Sequence, residues 1–237
     1  MNEPSITRAE VQQRLNQLHR AAKRDKWRFL SLFLQNLPAR ITGKKPVRFE
    51  SHEVKAKAFK NIYISISPAE GMLLYTLARS SGAKRIIEFG TSYGISSIYL
   101  TAAVLDNGGG KFIGSELEEH KCDFANRMLS EIGFSDIARI IQGDALETFK
   151  SVSGTWDLLF LDGWKSVYLD VFKIMENKIR VGGVVLAADI DKFENDTQNF
   201  VDYVHESPNY DVVTMPIGDG FIFAIRKTPN DTFELTR

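Results

Sequence analysis

Carboxylate side chains recur at the ends of short apolar runs along the chain. Glu88, Glu116, Asp144, Asp162 and Asp189 each close or directly follow such a run. Because the carboxyl ends of parallel strands meet at one edge of a sheet, we expect these five carboxylates to lie close together. Aspartate is common at helix N-caps, which would account for one or two of them. Five in succession indicate a site for a ligand rich in hydroxyl and cationic groups, or for a metal ion, since an acidic rim repels phosphate.

The residues after Glu88 form a loop with two glycines, from Gly90 to Gly94. Glycine permits tight turns and lets a ligand approach the backbone closely. A dinucleotide-binding loop needs the pattern G-x-G-x-x-G, and here only two glycines, four positions apart, are present. The loop therefore gives only weak support for a pyrophosphate ligand.

The same loop also matches the pattern G-x-S-x-G, the nucleophile elbow of α/β-hydrolases. Ser92, Asp189 and His205 follow one another in the order of a hydrolase triad. Against this alternative, the loop follows the first predicted strand rather than a later one, and no HGGG-type segment precedes it. A hydrolase with Ser92 as nucleophile stays open at this point.

The position of Glu116 favours an adenosine-containing ligand. It lies 26 residues after Gly90, at the end of the second predicted strand, where a carboxylate can accept hydrogen bonds from ribose hydroxyls. Asp144, after the third strand, is placed to hold an adenine amino group. An adenosine without an evident phosphate cradle fits S-adenosylmethionine.

Residues 67–226 resemble the class I S-adenosylmethionine-dependent O-methyltransferases of the catechol and caffeoyl-CoA type. The resemblance rests on Ser67-Pro68-Ala69-Glu70-Gly71, the loop from Glu88 to Ser96, Gly114-Ser115-Glu116, Leu161-Asp162-Gly163-Trp164-Lys165, and the run from Gly182 to Asp189. The ending from Pro216 to Phe221 is similar to the final hairpin of that family. The resemblance implies a Rossmann-like methyltransferase fold and a small hydroxylated molecule as methyl acceptor.

The same resemblance implies roles for individual residues in binding S-adenosylmethionine. The loop residues would hold the methionine part, and they are Gly90, Thr91, Ser92, Gly94 and Ser96. Glu88 would support that loop, Glu116 would bind the ribose, and Asp144 with Ala145 would border the adenine. Asp162 would lie near the methionine amine.

The resemblance further implies that Lys165 is the general base, and that Asp162 and Asp189 bind a divalent metal. A lysine can take the acceptor proton if its pKa is lowered, and Mg²⁺ can lower the pKa of a bound hydroxyl. Ile190 stands where the family has a metal-binding asparagine, so dependence on Mg²⁺ stays open. A solvated surface position for Lys165, and a catalytically impaired domain that binds the cofactor as an interaction module, are the corresponding alternatives.

Alternating strands and helices must position these residues. We predict strands over residues 85–89, 111–116, 138–141, 157–161, 183–188, 211–215 and 221–226, and helices over 67–82, 95–105, 118–132, 167–179 and 194–205. Such alternation is typical of an α/β fold with a mostly parallel sheet, here of seven strands with an antiparallel C-terminal hairpin. Capping boxes are predicted at Thr7 with Glu10 and at Ser67 with Glu70.

Charge divides the chain into two regions. Residues 1–60 contain 14 Lys or Arg against 5 Asp or Glu, whereas residues 61–237 contain 16 against 25. We predict a basic helical N-terminal extension over residues 1–66, with a helix to about residue 34, and an S-adenosylmethionine-binding domain over 67–237. The extension is expected to pack on the acidic body of its own or a partner subunit in a homodimer. There is no clear nucleic-acid signal.

Composition excludes several classes of protein. Apolar residues make up 43% and charged residues 25%, as in ordinary globular proteins. No run approaches about 18 consecutive apolar residues, so no transmembrane segment is expected, and the charged start of the chain does not fit a secretory signal. Cys122 is the only cysteine, which excludes an intrachain disulfide and favours a cytoplasmic location.

Overall fold

The computed structural model of the protein describes residues 3–35 and 65–228, with side chains for all of these except 26–35. The helices, numbered along this part of the chain, are α1 (Ala9–Gln35), α2 (Pro68–Ser80), α3 (Ile95–Asp106), α4 (Glu119–Glu131), α5 (Ala145–Ser151), α6 (Tyr168–Glu176) and α7 (Glu194–Glu206). The strands are β1 (Arg85–Phe89), β2 (Lys111–Glu116), β3 (Ala138–Gln142), β4 (Trp156–Leu161), β5 (Ile179–Ala188), β6 (Tyr210–Met215) and β7 (Phe221–Arg226).

The strands form one sheet in the order β3-β2-β1-β4-β5-β7-β6. The first five strands run parallel, and β7 pairs antiparallel with both β5 and β6. The predicted α/β fold with a seven-stranded, mostly parallel sheet and an antiparallel C-terminal hairpin is confirmed. The strand order reverses between β1 and β4, which is where ligands bind in sheets of this kind.

Helices cover both faces of the sheet because each central strand is apolar on both sides. Neighbouring side chains of β1 point to opposite faces, so Ile86 belongs to one core cluster and Ile87 to the other. The first cluster contains side chains of α1, α2, α3 and α4, and the second contains those of α5, α6 and α7. The sheet is therefore fixed from both sides, which holds the carboxyl ends of its strands in place.

The described part of the N-terminal region packs into the first of these clusters. Val11, Leu15 and Leu18 recur at helical spacing along α1, and all three are buried there. A 3₁₀ turn, Ser5–Thr7, precedes α1, and the Ser5 amide donates to the Asp106 carboxylate at the end of α3. Among the described residues, no helix is long and apolar enough to cross a membrane.

One of the two predicted capping boxes is wrong. The Thr7 hydroxyl donates to the Pro4 carbonyl, closing the 3₁₀ turn, and α1 begins two residues later. The box at the start of α2 is confirmed, since the Glu70 amide donates to the Ser67 hydroxyl and the Ser67 amide donates to the Glu70 carboxylate. The two sites match the same pattern, and only the second lacks a competing turn.

The sequence predictions also missed one helix and misplaced the point where α6 ends and β5 begins. Helix α5 was not predicted, because its seven residues are too few to show a helical period. Helix α6 ends earlier than predicted and β5 begins at Ile179, whose backbone pairs with Trp156 across a register shift. The chain thus enters β5 before Gly182 and Gly183, whereas the sequence prediction started that strand after the first of these glycines.

Candidate active site

A cavity of about 380 Å³ opens at the carboxyl ends of β1, β2, β4 and β5. The predicted site residues that line it are Gly90, Ser92, Glu116, Asp144, Ala145, Asp162, Lys165 and Asp189. Thr91 and Ser96 line a small adjoining cavity together with Gly90 and Asp162. Glu88 and Gly94 line neither cavity. The structure therefore brings most of the predicted residues to one place.

Glu88 lies beneath the loop from Gly90 to Gly94 and is completely buried. Its Oε2 accepts hydrogen bonds from the hydroxyls of Thr91, at 2.9 Å, and Ser97, at 2.5 Å. Its Oε1 has no hydrogen-bond partner among the described residues. Burial raises the pKa of Glu88 to about 7, although the surrounding hydroxyls oppose this shift. The carboxyl group thus fixes the loop from the inside and does not reach the cavity.

Glycines allow the ends of β1 and β4 to meet at the floor of the cavity. Gly90 has a φ of +92°, and a Cβ added to it would lie 2.4 Å from Gly163 Cα. A Cβ added to Gly163 would lie 2.4 Å from the ring of Phe89. Larger side chains at either position would collide with their neighbours. This packing accounts for glycine at position 163.

Two backbone amides hold the Glu116 carboxylate at the end of β2. Oε2 accepts from the Ser92 amide at 2.7 Å, and Oε1 accepts from the Glu118 amide at 2.9 Å. Burial raises the pKa of Glu116, while these amides and the nearby Lys121 ammonium favour its ionised form. Each carboxylate oxygen has two acceptor sites, so both oxygens keep one for a ligand in the cavity.

The Asp144 carboxylate caps helix α5. Its Oδ1 accepts from the Leu146 amide at 2.9 Å. This is the N-cap arrangement that the sequence left open for one or two of the five carboxylates. Asp144 and the adjacent Ala145 nevertheless line the cavity on the same side as Glu116. The cap fixes where both residues stand, and their contact with adenine remains a prediction.

Lys165 lies between the two remaining carboxylates. Its side chain is 9% exposed, and its Nζ is 2.9 Å from Asp162 Oδ1 and 3.2 Å from Asp189 Oδ2. The alternative that Lys165 is a solvated surface lysine is therefore wrong. Burial by itself lowers the pKa of Lys165, but the carboxylates of Asp162 and Asp189 outweigh it, and the pKa lies above its ordinary value. In this arrangement the lysine is an ammonium, so the lowered pKa that a general base needs is not met.

The Asp162 carboxyl group experiences the opposite balance. Burial raises its pKa to about 6, and the ammonium of Lys165 limits this rise. Like-charge repulsion from Asp189 also contributes to this rise in the pKa of Asp162. The carboxyl group of Asp162 therefore relies on the lysine to stay ionised at neutral pH.

Tyr168 is a site residue that the sequence analysis missed. Its hydroxyl accepts a hydrogen bond from Lys165 Nζ at 2.7 Å, and it lies within 3.2 Å of the backbone carbonyls of Leu161 and Ala188. These carbonyls belong to the ends of β4 and β5, so the ammonium is anchored to the sheet. The position of Tyr168, three residues after Lys165 in a helical segment, was the only sequence signal for it.

A divalent metal does not fit the described residues at this position. The carboxylates of Asp162 and Asp189 already face the Lys165 ammonium, and the side chain of Ile190 is buried at 4% exposure in the core. Across residues 3–35 and 65–228, no group of three His, Cys, Asp or Glu side chains is placed to hold a metal ion. Mg²⁺ is usually held by one or two carboxylates and several waters, but here the ammonium of Lys165 already lies between both carboxylates and would repel a second cation.

The hydrolase triad considered above is not assembled. The Ser92 hydroxyl is buried and has no hydrogen-bond partner within the part of the chain that the structure describes. His205 Nε2 lies 3.2 Å from the hydroxyl of Thr214, and Asp189 pairs with Lys165. Without a base beside it, the Ser92 hydroxyl is not an activated nucleophile.

The rest of the cavity is formed by residues after β4 and around the start of α7 to which the sequence analysis assigned no role. They are Trp164, Ser166, Val167, Lys192, Phe193 and Asp196. Lys192 pairs with Asp219 in the loop between β6 and β7 at 2.7 Å. Because these side chains come from segments far apart in the chain, their spacing gave no sequence pattern.

Comparison with known proteins agrees with this geometry. The family described as "Methyltransferase domain" matches residues 87–190. A catechol O-methyltransferase from Niastella koreensis is 28% identical over 131 residues, which are 54% of this chain and 58% of that protein. Caffeoyl-CoA O-methyltransferase 2 from Petunia hybrida is 24% identical, over 75% of this chain and 82% of that protein. The chain thus spans between just over half and four fifths of these relatives.

The fold is similar to that of a solved structure, an O-methyltransferase from Bacillus cereus in complex with S-adenosylhomocysteine. The TM-score is 0.65 at 21% identity, and the match covers 81% of this chain and 98% of that one. At this level of identity the likeness concerns the fold. Residues 87–190 thus match a methyltransferase domain, and the chain is similar in sequence to catechol and caffeoyl-CoA O-methyltransferases.

Proposed function

We propose that this protein transfers a methyl group from S-adenosylmethionine to a hydroxyl group of a small molecule. The main evidence for the proposal is that different charged side chains line two parts of one cavity. At one end Glu116 is fixed by two backbone amides, and at the other Lys165 is fixed between two carboxylates. The first end suits a ribose, and the second suits a hydroxyl oxygen that must lose its proton in the reaction.

The residues at the first end fit S-adenosylmethionine. Glu116 has free acceptor sites for the ribose hydroxyls, and the buried Ser92 hydroxyl is unpartnered among the described residues. Gly90 and Gly163 both line the cavity and carry no side chain, so the methionine part can approach their backbone closely. Gly90, Thr91, Ser92, Gly94 and Ser96 would form this part of the site. Asp162 would hold the methionine amine.

Residues of the chain itself would orient the acceptor and favour the loss of its hydroxyl proton. When bound, S-adenosylmethionine supplies a methyl group on a positively charged sulfur, and the acceptor oxygen takes this methyl as the carbon–sulfur bond breaks. The Lys165 ammonium would donate to that oxygen and stabilise the negative charge that it carries once its proton has left. Asp162 keeps the ammonium in place. Closure of the site around both reactants would supply much of the remaining acceleration by alignment.

The lining of the cavity favours a small acceptor without phosphate groups. Among its described lining residues, six carboxylates face three lysines. A polyphosphate-bearing acceptor would be repelled by this excess of negative charge. Trp164 and Phe193 provide apolar surface beside Lys165, which suits an aromatic or similarly apolar hydroxyl compound.

We also infer a homodimer in the cytoplasm. The support for a dimer is that most oligomers of this kind are two-fold symmetric dimers. The described apolar face of α1 adds no support, because its own subunit already covers it. Support for the compartment is that Cys122 is free and buried. Light scattering of the purified protein tests the dimer, and a mass equal to one chain contradicts it.

Calorimetric titration with S-adenosylhomocysteine tests the proposed function first. We expect a Kd on the order of 1 μM, weakened at least about tenfold in Glu116→Ala because the ribose hydroxyls lose their acceptor. Glu147→Ala is the matched control, since this exposed glutamate pairs with Lys150 and does not line the cavity. No binding to the unaltered protein contradicts the proposal.

Methyl transfer from labelled S-adenosylmethionine to a set of small phenols completes the test. Transfer to any of them supports the enzyme. Binding of the cofactor product without transfer to any acceptor would instead favour the impaired, cofactor-binding interaction module.

A further inference from the structure

The position between Asp162 and Asp189 already contains a cation that belongs to the chain. Lys165 Nζ donates to Asp162 Oδ1 at 2.9 Å and to the Tyr168 hydroxyl at 2.7 Å. It lies 3.2 Å from Asp189 Oδ2 as an ion pair. An ammonium has three N–H groups. Two of them are engaged in short hydrogen bonds, and the third faces the longer contact with Asp189.

Tyr168 prevents this ammonium from leaving. Its ring is fully buried between α6 and the sheet, and its hydroxyl is fixed by the carbonyls of Leu161 and Ala188. If the lysine side chain turned away, two partly buried carboxylates and the tyrosine hydroxyl would lose their common partner. Such a loss is costly in a low-dielectric interior.

The residues next to Asp189 are turned away from this position. Ile190 is buried in the core, and its carbonyl accepts from the Thr197 hydroxyl at 2.9 Å. Asp191 lies against Gly220, and its amide donates to the Asp219 carbonyl at 3.0 Å. Neither residue is free to provide a third oxygen beside Asp162 and Asp189.

We propose that the Lys165 ammonium takes the place of a divalent metal in this protein, and that the acceptor is therefore a compound that needs only one hydroxyl group. This inference rests on the proposed function. A metal ion can bind two neighbouring hydroxyl oxygens at once, which favours vicinal diols. A single hydroxyl group that enters the 3.2 Å contact between Lys165 and Asp189 would accept the third N–H of the ammonium and donate to the carboxylate.

Lys165 and Asp189 together account for the proton that the acceptor hydroxyl must lose. The acceptor oxygen receives a hydrogen bond from Lys165 Nζ, and its own proton passes to the carboxylate of Asp189. The new oxygen–carbon bond forms as the carbon–sulfur bond of the donor breaks, which leaves S-adenosylhomocysteine. Asp189 is 25% exposed, so it can return the proton to water, and Lys165 remains protonated throughout.

Binding of Mn²⁺, followed by electron paramagnetic resonance in the presence of S-adenosylhomocysteine, tests the metal part without any acceptor. We expect no stoichiometric Mn²⁺ site in the unaltered protein and at least about tenfold tighter Mn²⁺ binding in Lys165→Met, where two partly buried carboxylates lose their cation. Lys227→Met, which breaks the ion pair with Asp211 away from the cavity, should leave Mn²⁺ binding unchanged. Lys165→Gln replaces Lys165→Met if circular dichroism shows that the latter does not fold.

Two results of this titration overturn the inference. One is a Mn²⁺ site with a stoichiometry of one in the unaltered protein that Asp189→Asn abolishes. The other is no gain of Mn²⁺ binding in a folded Lys165 variant. Loss of S-adenosylhomocysteine binding in the unaltered protein would instead contradict the proposed function, so the two failures are distinguishable.

Acceptor selectivity tests the second part. We expect 4-hydroxybenzaldehyde to be methylated with a kcat/KM within about tenfold of that for 3,4-dihydroxybenzaldehyde, and EDTA to change neither rate. Asp189→Asn should lower kcat by about a hundredfold or more while KM for S-adenosylmethionine stays nearly constant, because only the proton acceptor is lost. Methylation of the diol alone, abolished by EDTA, overturns the inference.

Discussion

Glu88 and Asp162 are buried carboxyl groups on neighbouring strands, and their partners differ in charge. Asp162 faces the ammonium of Lys165 at 2.9 Å, whereas Glu88 is surrounded by neutral hydroxyls. Burial raises the pKa of both, to about 7 for Glu88 and to about 6 for Asp162. Glu88 therefore changes its charge close to neutral pH. It does so directly beneath the loop that is proposed to hold the methionine part of the cofactor.

This shift makes the stability of the free protein depend on pH through Glu88. The folded-state pKa lies above the ordinary value of 4.5, so the folded protein keeps a proton that the unfolded chain has released. The stabilisation is fully present below about pH 4.5 and is lost as the pH rises through about 7. The loss amounts to about 3 kcal/mol when the group is fully buried.

Glu88→Gln should remove this dependence. The free energy of unfolding of the variant minus that of the unaltered protein should increase by about 2 to 3 kcal/mol when the pH is raised from 5 to 8. Urea unfolding at both pH values measures the change. Glu206→Gln, at an exposed position at the end of α7, should show no such gain. A difference between Glu88→Gln and the unaltered protein that is constant with pH would contradict the assignment.

Most residues of the cofactor end were predictable because their positions follow from local rules. A carboxylate at the end of a buried strand lies at the ligand-binding edge whatever the details of packing, which placed Glu116, Asp162 and Asp189 in the cavity. The charge state of Lys165 was not predictable, because it depends on the distance to Asp189, which comes from a different strand. The same holds for Tyr168, whose role depends on carbonyl groups of two strands.

At the scale of the elements, the contact between β1 and β4 sets the floor of the cavity. Gly90 combines a left-handed backbone with a neighbour, Gly163, that leaves no room for a Cβ. Backbone strain and steric collision therefore add at one residue. The loop after β1 can adopt its observed conformation only with glycine at this position.

We expect Gly90→Ala to lower the free energy of unfolding by about 2 to 5 kcal/mol and to weaken binding of S-adenosylhomocysteine. Gly82→Ala is a matched control, since Gly82 has a φ of +63° but no atom within 4 Å of an added Cβ. That control should cost only about 1 kcal/mol, the strain of the left-handed backbone, and leave binding intact. Denaturant unfolding and calorimetry measure both effects. Equal losses in the two variants would show that the collision with Gly163 has no effect.

Strands were predicted more accurately than the shorter helices, for a physical reason. The central strands are buried on both faces and read as continuous apolar runs, so β1 and β2 were placed with their observed bounds. The seven residues of α5 depend on the Asp144 cap and on burial of Phe149, which are tertiary features. The start of β5 depends on its pairing with Trp156 in the neighbouring strand.

At the scale of the whole molecule, the described N-terminal segment is part of the core of the methyltransferase domain. The sequence suggested a separate basic extension over residues 1–66, because charge changes sign along the chain. Within the described residues, however, Val11, Leu15 and Leu18 share one buried cluster with the central strands. Asp106 joins the same regions, since it accepts from the Ser5 amide and from the Tyr75 hydroxyl. The change of charge along the chain describes only its composition. The buried apolar contacts determine which residues fold together.

If this contact is part of the core, a substitution in α1 should destabilise the whole domain. We expect Leu15→Ala to lower the free energy of unfolding by about 2 to 4 kcal/mol. Far-ultraviolet circular dichroism and tryptophan fluorescence, measured in a Trp27→Phe background because Trp27 lies in α1, should shift together in one transition, since helix α1 and the sheet lose the same contacts. Asn16→Ala, at an exposed position one residue further along α1, should leave the midpoint nearly unchanged. An early transition seen by circular dichroism alone would mean that α1 unfolds independently, and the boundary suggested by charge would then also be a boundary of folding.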